Sequence, residues 1–268
     1  MIKKRIIPVV LLRHGQIVQS RRFSRYNVLG NPTAAVERIS NWSSDELVYL
    51  DISDRDGLDF QEDDEEGTDK LVRNIAASCS VPLTFGGGLR TIADIGRRIR
   101  LGADKVTLNT AAWENGRLIE DAATVFGSQC VVISIDVKKS ETGQYEVYRG
   151  GRTPTGRHPV DWAREMESRG AGEILLNSME RDGTGNGYDI LLIHQVCEAV
   201  SIPVIAMGGA GGWEHFAEVL NLTSASAVAA ANIFQHSENS VFRCREFLFK
   251  AGFVVRKPSP LSSESAIL

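Results

Sequence analysis

Pro82-Leu83-Thr84-Phe85-Gly86-Gly87-Gly88 and Pro203-Val204-Ile205-Ala206-Met207-Gly208-Gly209-Ala210 carry one signal twice: a short apolar run ending in a glycine turn. Gly86 and Gly208 lie 122 residues apart, and the same interval separates the runs ending at Asn109-Thr110 and Ala231-Asn232. Arg55-Asp56-Gly57 recurs as Arg181-Asp182-Gly183, 126 residues on. Two large copies with matching runs and turns predict a closed structure with a pseudo-twofold half repeat. The pairing fails at one place. Asp136 ends the run Val131-Val132-Ile133-Ser134-Ile135, and its counterpart 125 residues earlier is Leu11.

The same alternation extends along the chain. Apolar, β-rich runs occupy 5–12, 47–52, 82–85, 105–108, 130–136, 173–176, 203–207 and 227–231. Amphipathic helical segments follow at 32–42, 68–78, 92–101, 117–126, 162–169, 188–199, 213–222 and 240–251. Unbroken apolar strands separated by helices imply a parallel sheet under a helical cover. Eight such units in about 250 residues match a (β/α)8 TIM barrel. An open doubly wound sheet is the alternative, but no GxGxxG turn follows the first strand. One barrel domain is expected over 1–256, and the stretch 257–268 has no apolar periodicity and reads as a mobile tail.

A net charge of −4 argues against a nucleic-acid binder, because the phosphate backbone rewards a basic surface. Cys79, Cys130, Cys197 and Cys244 are far apart and lack CxxC or zinc spacing, so they read as reduced thiols packed against apolar neighbours. No run approaches the ~20 apolar residues that span a bilayer, and the basic start Lys3-Lys4-Arg5 leads into too short a stretch for a signal peptide. A cytoplasmic enzyme is expected.

In such a barrel the site lies at the C-terminal strand ends. Leu11, Asp51, Gly86, Gly87, Gly88, Asn109, Asp136, Asn177, Gly208, Gly209 and Ala231 are therefore expected on one rim. Glycine lets backbone approach a phosphate closely and aim N–H groups at it. The turns at Gly86–Gly88 and Gly208-Gly209, completed by Asn109-Thr110 and Ala231-Asn232, read as two anion pockets. Two pockets across the rim suit a ligand with phosphate at both ends, or one long anionic ligand. Asp51, Asp136 and Asp182 are candidate acid–base groups, since a strand-end carboxylate with a tuned pKa can move protons. Asp182 reads equally well as a turn aspartate bonding its own backbone.

The loop from Arg13 to Arg25 carries Arg13, Arg21, Arg22 and Arg25, and reads either as a lid for an anionic substrate or as a solvated loop. The acidic run Glu62-Asp63-Asp64-Glu65-Glu66 reads as a solvated loop. His14, His158, His194, His215 and His236 show no metal spacing, and no motif names a metal or an organic cofactor. At the opposite face Arg5, Glu46, Lys105 and Glu173 stand at strand starts. Their charges fit ordinary surface pairing or a ring closing the barrel floor.

These residues together resemble the cyclase subunit of imidazole glycerol phosphate synthase, the HisF family. The resemblance runs from Lys4 to about Phe253. It is carried by Leu47-Val48-Tyr49-Leu50-Asp51-Ile52, Gly102-Ala103-Asp104-Lys105-Val106, Phe126-Gly127-Ser128-Gln129, Gly170-Ala171-Gly172-Glu173-Ile174-Leu175-Leu176, Arg181-Asp182-Gly183-Thr184 and Gly208-Gly209-Ala210-Gly211. The resemblance implies a barrel that receives ammonia from a glutaminase docked on its N-terminal face. Arg5, Glu46, Lys105 and Glu173 match the family's charged ammonia gate. Its phosphate positions carry over to Gly88, Asn109, Thr110, Asp182, Gly183, Gly209, Ala231 and Asn232, the last replacing the usual serine.

The family's two catalytic strand-end aspartates fall at Leu11 and Asp136, and a first-loop lysine falls at Gln19. Leucine cannot transfer a proton. This pattern is similar to divergent cyclase-like proteins of bacterial surface-polysaccharide clusters, which the opening Arg5-Ile6-Ile7-Pro8-Val9-Val10-Leu11-Leu12 also fits. That branch implies ammonia delivery to a phosphorylated or nucleotide-linked sugar, with acetamidino formation, a glutaminase-like partner and a separate amidotransferase. The alternatives are a genuine histidine-pathway cyclase, a sugar-phosphate isomerase of the related two-phosphate barrel, and a non-catalytic barrel that activates its glutaminase.

Overall fold

The computed structural model describes residues 3–41, 44–53, 65–235 and 240–258. Arg55-Asp56-Gly57, the acidic run at 62–64, His236, Trp42 and the stretch 259–268 of the expected tail lie outside the described residues.

Eight parallel strands close on themselves. They are β1 (Arg5–Arg13), β4 (Leu47–Asp51), β5 (Leu83–Gly86), β6 (Lys105–Leu108), β7 (Val131–Lys139), β10 (Glu173–Ser178), β11 (Val204–Met207) and β12 (Ala227–Ala230). Each pairs in parallel with the next, and β12 returns to β1 with Arg5 opposite Ala227 and Ile7 opposite Ala229. The helices are α1 (Pro32–Asn41), α2 (Glu65–Ser78), α3 (Ile92–Arg100), α4 (Thr110–Glu114), α5 (Arg117–Phe126), α6 (Pro159–Ser168), α7 (Ile190–Cys197), α8 (Trp213–Leu222) and α9 (Val241–Lys250). The fold is the (β/α)8 barrel expected from the alternation.

Strand parity separates the two packing layers. On β1, Ile7, Val9 and Leu11 join an interior cluster with Val48, Val132 and Leu175. Its alternate residues Ile6, Val10 and Leu12 join the clusters beneath the helices. This period of two is what a strand buried on both faces requires. Local chemistry sets helix starts. Thr91 caps α3 in a reciprocal capping box with Asp94, and Asp189 caps α7 by accepting from Leu192 N–H, which moves that helix start two residues past the expected 188. Among the described residues no helix is long and apolar enough to cross a membrane.

Two excursions were not read from the sequence. After β1 the chain forms a hairpin, β2 (Gln16–Arg21) with β3 (Arg25–Gly30), in place of the loop expected from Arg13 to Arg25. The His14-Gly15 turn has positive φ at both residues, as a tight hairpin needs. The far turn places Arg22 and Phe23 in the same left-handed region, at φ of 52° and 55°. Neither is a residue type that advertises this conformation, and each pays of order 1 kcal/mol there. The second excursion extends β7 antiparallel through β8 (Tyr145–Arg149) to β9 (Thr153–Pro154).

At the N-terminal end, Arg245 on α9 is fully buried and its guanidinium meets Asp45 at 2.9 Å. The other Asp45 oxygen accepts from Ile6 N–H at 2.9 Å, so one carboxylate ties the last helix to the first strand. Arg245→Ala is expected to lower unfolding free energy by about 3 kcal/mol, since it strands the Asp45 charge. Denaturant titration checks this, and a loss below 1 kcal/mol would show that Arg256, 3.6 Å from the same carboxylate, suffices.

Candidate active site

The C-terminal rim encloses a cavity of about 340 Å³. Leu11, Asp51, Gly88, Asn109, Thr110 and Asp136 all face it, and Asp182 lies at its edge. Gly87 explains the glycine turn locally. Its φ is +110°, and a Cβ there would sit 2.2 Å from the Asp51 carbonyl oxygen.

Asp136 is a buried acid of the rim. It stands in register with Asn177 on β10 and is 7% exposed. Asn109 Nδ2 donates to its Oδ2 at 2.9 Å, while Asn109 Oδ1 accepts from Gly150 N–H at 2.9 Å. The Asn109 amide therefore links the carboxylate to the turn between β8 and β9. Burial pushes the Asp136 carboxyl up to about 7, against the bonds from Asn109 and Asn177 and with the help of the nearby Asp182 charge. Such a group is split between acid and base near neutral pH. Across from it, Leu11 is 5% exposed and belongs to the apolar interior cluster. Gln19 lies on β2 opposite Asn27.

Asp182 has a different set of partners. Its carboxylate accepts from Ser20 Oγ at 2.6 Å and from Phe23 N–H at 3.3 Å, and its carbonyl oxygen accepts from Arg22 N–H at 3.0 Å. It holds the strained tip of the β2–β3 hairpin against the rim. Burial raises its pKa as well, opposed by those bonds. Phe23 packs over Gly151, the position from which a Cβ would also be 3.6 Å from Asp136 Oδ2. Asp51 instead accepts from Ser53 N–H at 3.0 Å in an Asx-type turn.

The second glycine turn surrounds a separate pocket of about 20 Å³. Gly183, Gly208, Gly209, Ala231 and Asn232 line it, with Asp182 shared between the two. Asn232 Nδ2 donates to the Ser20 carbonyl oxygen at 2.7 Å. The repeat thus brings both predicted anion sites to one rim, as two pockets that share Asp182 and Met207. Ser20, Phe23 and Tyr26, which complete the cavity, were not singled out in the sequence; the His14-Gly15 pair was the one local sign of their hairpin.

At the opposite end the four strand-start charges form a closed ring. Arg5 donates to Glu46 at 2.5 Å and also to Glu173, and Lys105 Nζ lies 3.0 Å from each of the same carboxylates. Burial disfavours the Arg5 cation, but hydrogen bonds and charge from Glu173 and Glu46 more than offset this and raise its pKa. Between ring and cavity the interior is mostly apolar, with Thr84 and Thr107 as buried hydroxyl groups. Thr107 Oγ1 has no hydrogen-bond partner among the described residues.

A closed parallel barrel with a carboxylate-bearing rim and a charged floor defines a (β/α)8 barrel whose candidate site lies at the C-terminal strand ends. The family model described as "Histidine biosynthesis protein" matches residues 5–240. The imidazole glycerol phosphate synthase subunit HisF of Streptococcus sanguinis (strain SK36) is 40% identical over 257 residues, spanning 96% of this chain and 100% of that protein. The subunit of the same name from Streptococcus gordonii (strain Challis) matches with the same identity and coverage. The chain belongs to the histidine biosynthesis protein family and is a HisF-like synthase subunit.

The raised Asp136 pKa has a stability consequence. The unfolded chain loses this proton near pH 4 and the folded protein near pH 7, so the folded state is penalised progressively as pH rises through that window. Asp136→Asn should therefore gain stability relative to wild type between about pH 4 and pH 7, and no further above it. Thermal melts across that range check this; a pH-independent difference would mean the carboxyl titrates normally.

Proposed function

We propose that this chain is the ammonia-accepting synthase subunit of a glutamine amidotransferase pair, with a HisH-like glutaminase docked over the floor. The observation that carries this reading is the ring of Arg5, Glu46, Lys105 and Glu173 on the barrel axis, opposite the rim that holds Asp136. Neutral ammonia released beneath the ring would pass when one ion pair opens, then travel an interior too apolar for ammonium. The alternating charges repel neither ammonia nor each other, so the ring can close again after passage.

At the rim, ammonia adds to an electrophilic carbon of a phosphorylated substrate. The nitrogen must then lose a proton and an oxygen must gain one. Asp136 suits both transfers in turn, because its carboxyl is half-protonated near pH 7. Anionic groups of the substrate are held by glycine backbone and by Asn109 and Thr110. Imidazole glycerol phosphate formation is the reaction best supported, since the 40% identical relatives bear that name.

A second reading is favoured by Leu11. An acid–base pair spread over two strand ends would need a carboxylate there, and this chain has an apolar wall. That favours ammonia transfer to a phosphorylated or nucleotide-linked sugar, with a separate amidotransferase completing the product. The open cavity beside Asp136 argues against a barrel that only activates its partner.

The deciding experiment is ammonia-dependent turnover of the histidine-pathway intermediate by wild type and Leu11→Asp. Robust wild-type turnover, reduced about 10²–10⁴-fold in Asp136→Asn, supports the cyclase. No wild-type turnover with a gain in Leu11→Asp supports sugar amidation. With the glutaminase present, Glu46→Ala or Lys105→Ala should leave glutamine hydrolysis running while product per glutamine falls severalfold; an unchanged ratio would remove the gate from the proposal.

A further inference from the structure

Two residues that line the rim cavity carry buried hydrogen-bonding atoms with no partner among the described residues: Thr107, through Oγ1, and Asn177, through Oδ1. Both stand on strands that begin at the floor ring. On β6, Lys105, Thr107 and Asn109 follow one another along the interior face, and on β10, Glu173, Leu175 and Asn177 do the same. Thr107 pairs in register with Val132 of β7, and Asn177 with Asp136, four residues further along that strand. At about 3.3 Å per residue, Asn177 stands roughly 13 Å nearer the rim.

Asn177 is 5% exposed. Its amide and that of Asn109 both bond the Asp136 carboxyl. The Asn109 oxygen is satisfied by Gly150 N–H, whereas the Asn177 oxygen meets no donor among the described residues. An unpaired buried acceptor is costly to a fold, and a donor from outside the chain would satisfy it. The backbone leaves room there. Gly208 has a φ of +96°, and a Cβ on it would lie 2.8 Å from Asn177 Oδ1. The occupant must be small, carry N–H or O–H donors, and suit the apolar Leu11, Leu175 and Met207 on the same interior. Ammonia meets all three demands. An amide oxygen only accepts, so it holds ammonia by an N–H and leaves the lone pair free; a hydroxyl such as that of Thr107 can turn its proton onto that lone pair and mask it.

We infer that Asn177 Oδ1 holds the ammonia nitrogen on the wall of the rim cavity, beside Asp136 and with its lone pair free for the substrate carbon. Neighbouring strands lie about 4.8 Å apart, so a nitrogen bonded to this oxygen is within reach of the Asp136 carboxyl. This rests on the reading of the barrel as an ammonia-accepting synthase and adds to it the residue at which ammonia is received.

Proton–nitrogen NMR of the full chain during titration with ammonium chloride tests it on the wild-type protein. The side-chain amide signal of Asn177, assigned through its backbone resonances, should shift saturably. The shift should follow neutral ammonia, not total ammonium, as pH is raised, and should be absent with potassium chloride and smaller at Asn109. In ammonia-dependent turnover, Asn177→Leu should raise the KM for ammonia about three- to tenfold, with the KM for the phosphorylated substrate held within about twofold. A residue that only positions Asp136 would shift the pH profile of kcat and leave the ammonia KM unchanged, and that result would overturn the inference. Turnover with ammonia but no saturable shift at Asn177 would also overturn it and leave the synthase reading standing. Absence of the shift and of turnover, with both the histidine-pathway intermediate and a nucleotide-linked sugar, would remove the synthase reading as well.

Discussion

The parallel pairing of β12 with β1 is the contact on which the other features depend. Without it the chain would be an open sheet, with Arg5 at one edge and far from Glu173. Closure brings four strand-start charges onto one axis and eight strand ends onto one rim. Strand polarity then assigns the two ends different work, because every turn after a strand lies on the same face. Asp45 guards this closure from below. Its carboxylate joins the first strand to the buried Arg245 on the last helix, next in sequence to the ring member Glu46.

Burial does the rest at the rim. Asp136 sits between Asn109 and Asn177, beside the Gly151 turn on which Phe23 packs, and burial disfavours its charge. A carboxyl so placed is costly to the fold and useful to chemistry at neutral pH. Asp182 shows how neighbouring groups of one type take different roles. It is buried as well, but its oxygens are occupied by the hairpin tip. The left-handed Arg22 and Phe23 tolerate their strain because Asp182 and Gly151 receive them.

The chain belongs to the histidine biosynthesis protein family, and two features of its rim bear on the chemistry proposed for it. Leu11 presents an apolar wall to the rim. Asn232 donates to the Ser20 carbonyl oxygen and so anchors the hairpin. Both lie where β1 and its hairpin meet the second half-barrel, in one quadrant of the site. The floor retains all four ring charges.

All eight strands and eight of the helices could be read from the chain, within a few residues at each end, because apolar periodicity and glycine turns are local signals. The four floor charges were legible as positions, each at a strand start, but not as a ring. Mutual contact among Arg5, Glu46, Lys105 and Glu173 exists only after closure across as many as 168 residues of chain. The hairpin escaped the reading because Arg22-Phe23 gives no hint of positive φ, and its docking partners lie 159 to 212 residues away. The sequence by itself thus determined the order, polarity and repeat of the barrel units, which arise from short-range hydrophobic pattern. Only the tertiary structure decided that four strand-start charges meet as one ring and that a strained hairpin tip docks on Asp182, because both depend on contacts between residues far apart in the chain.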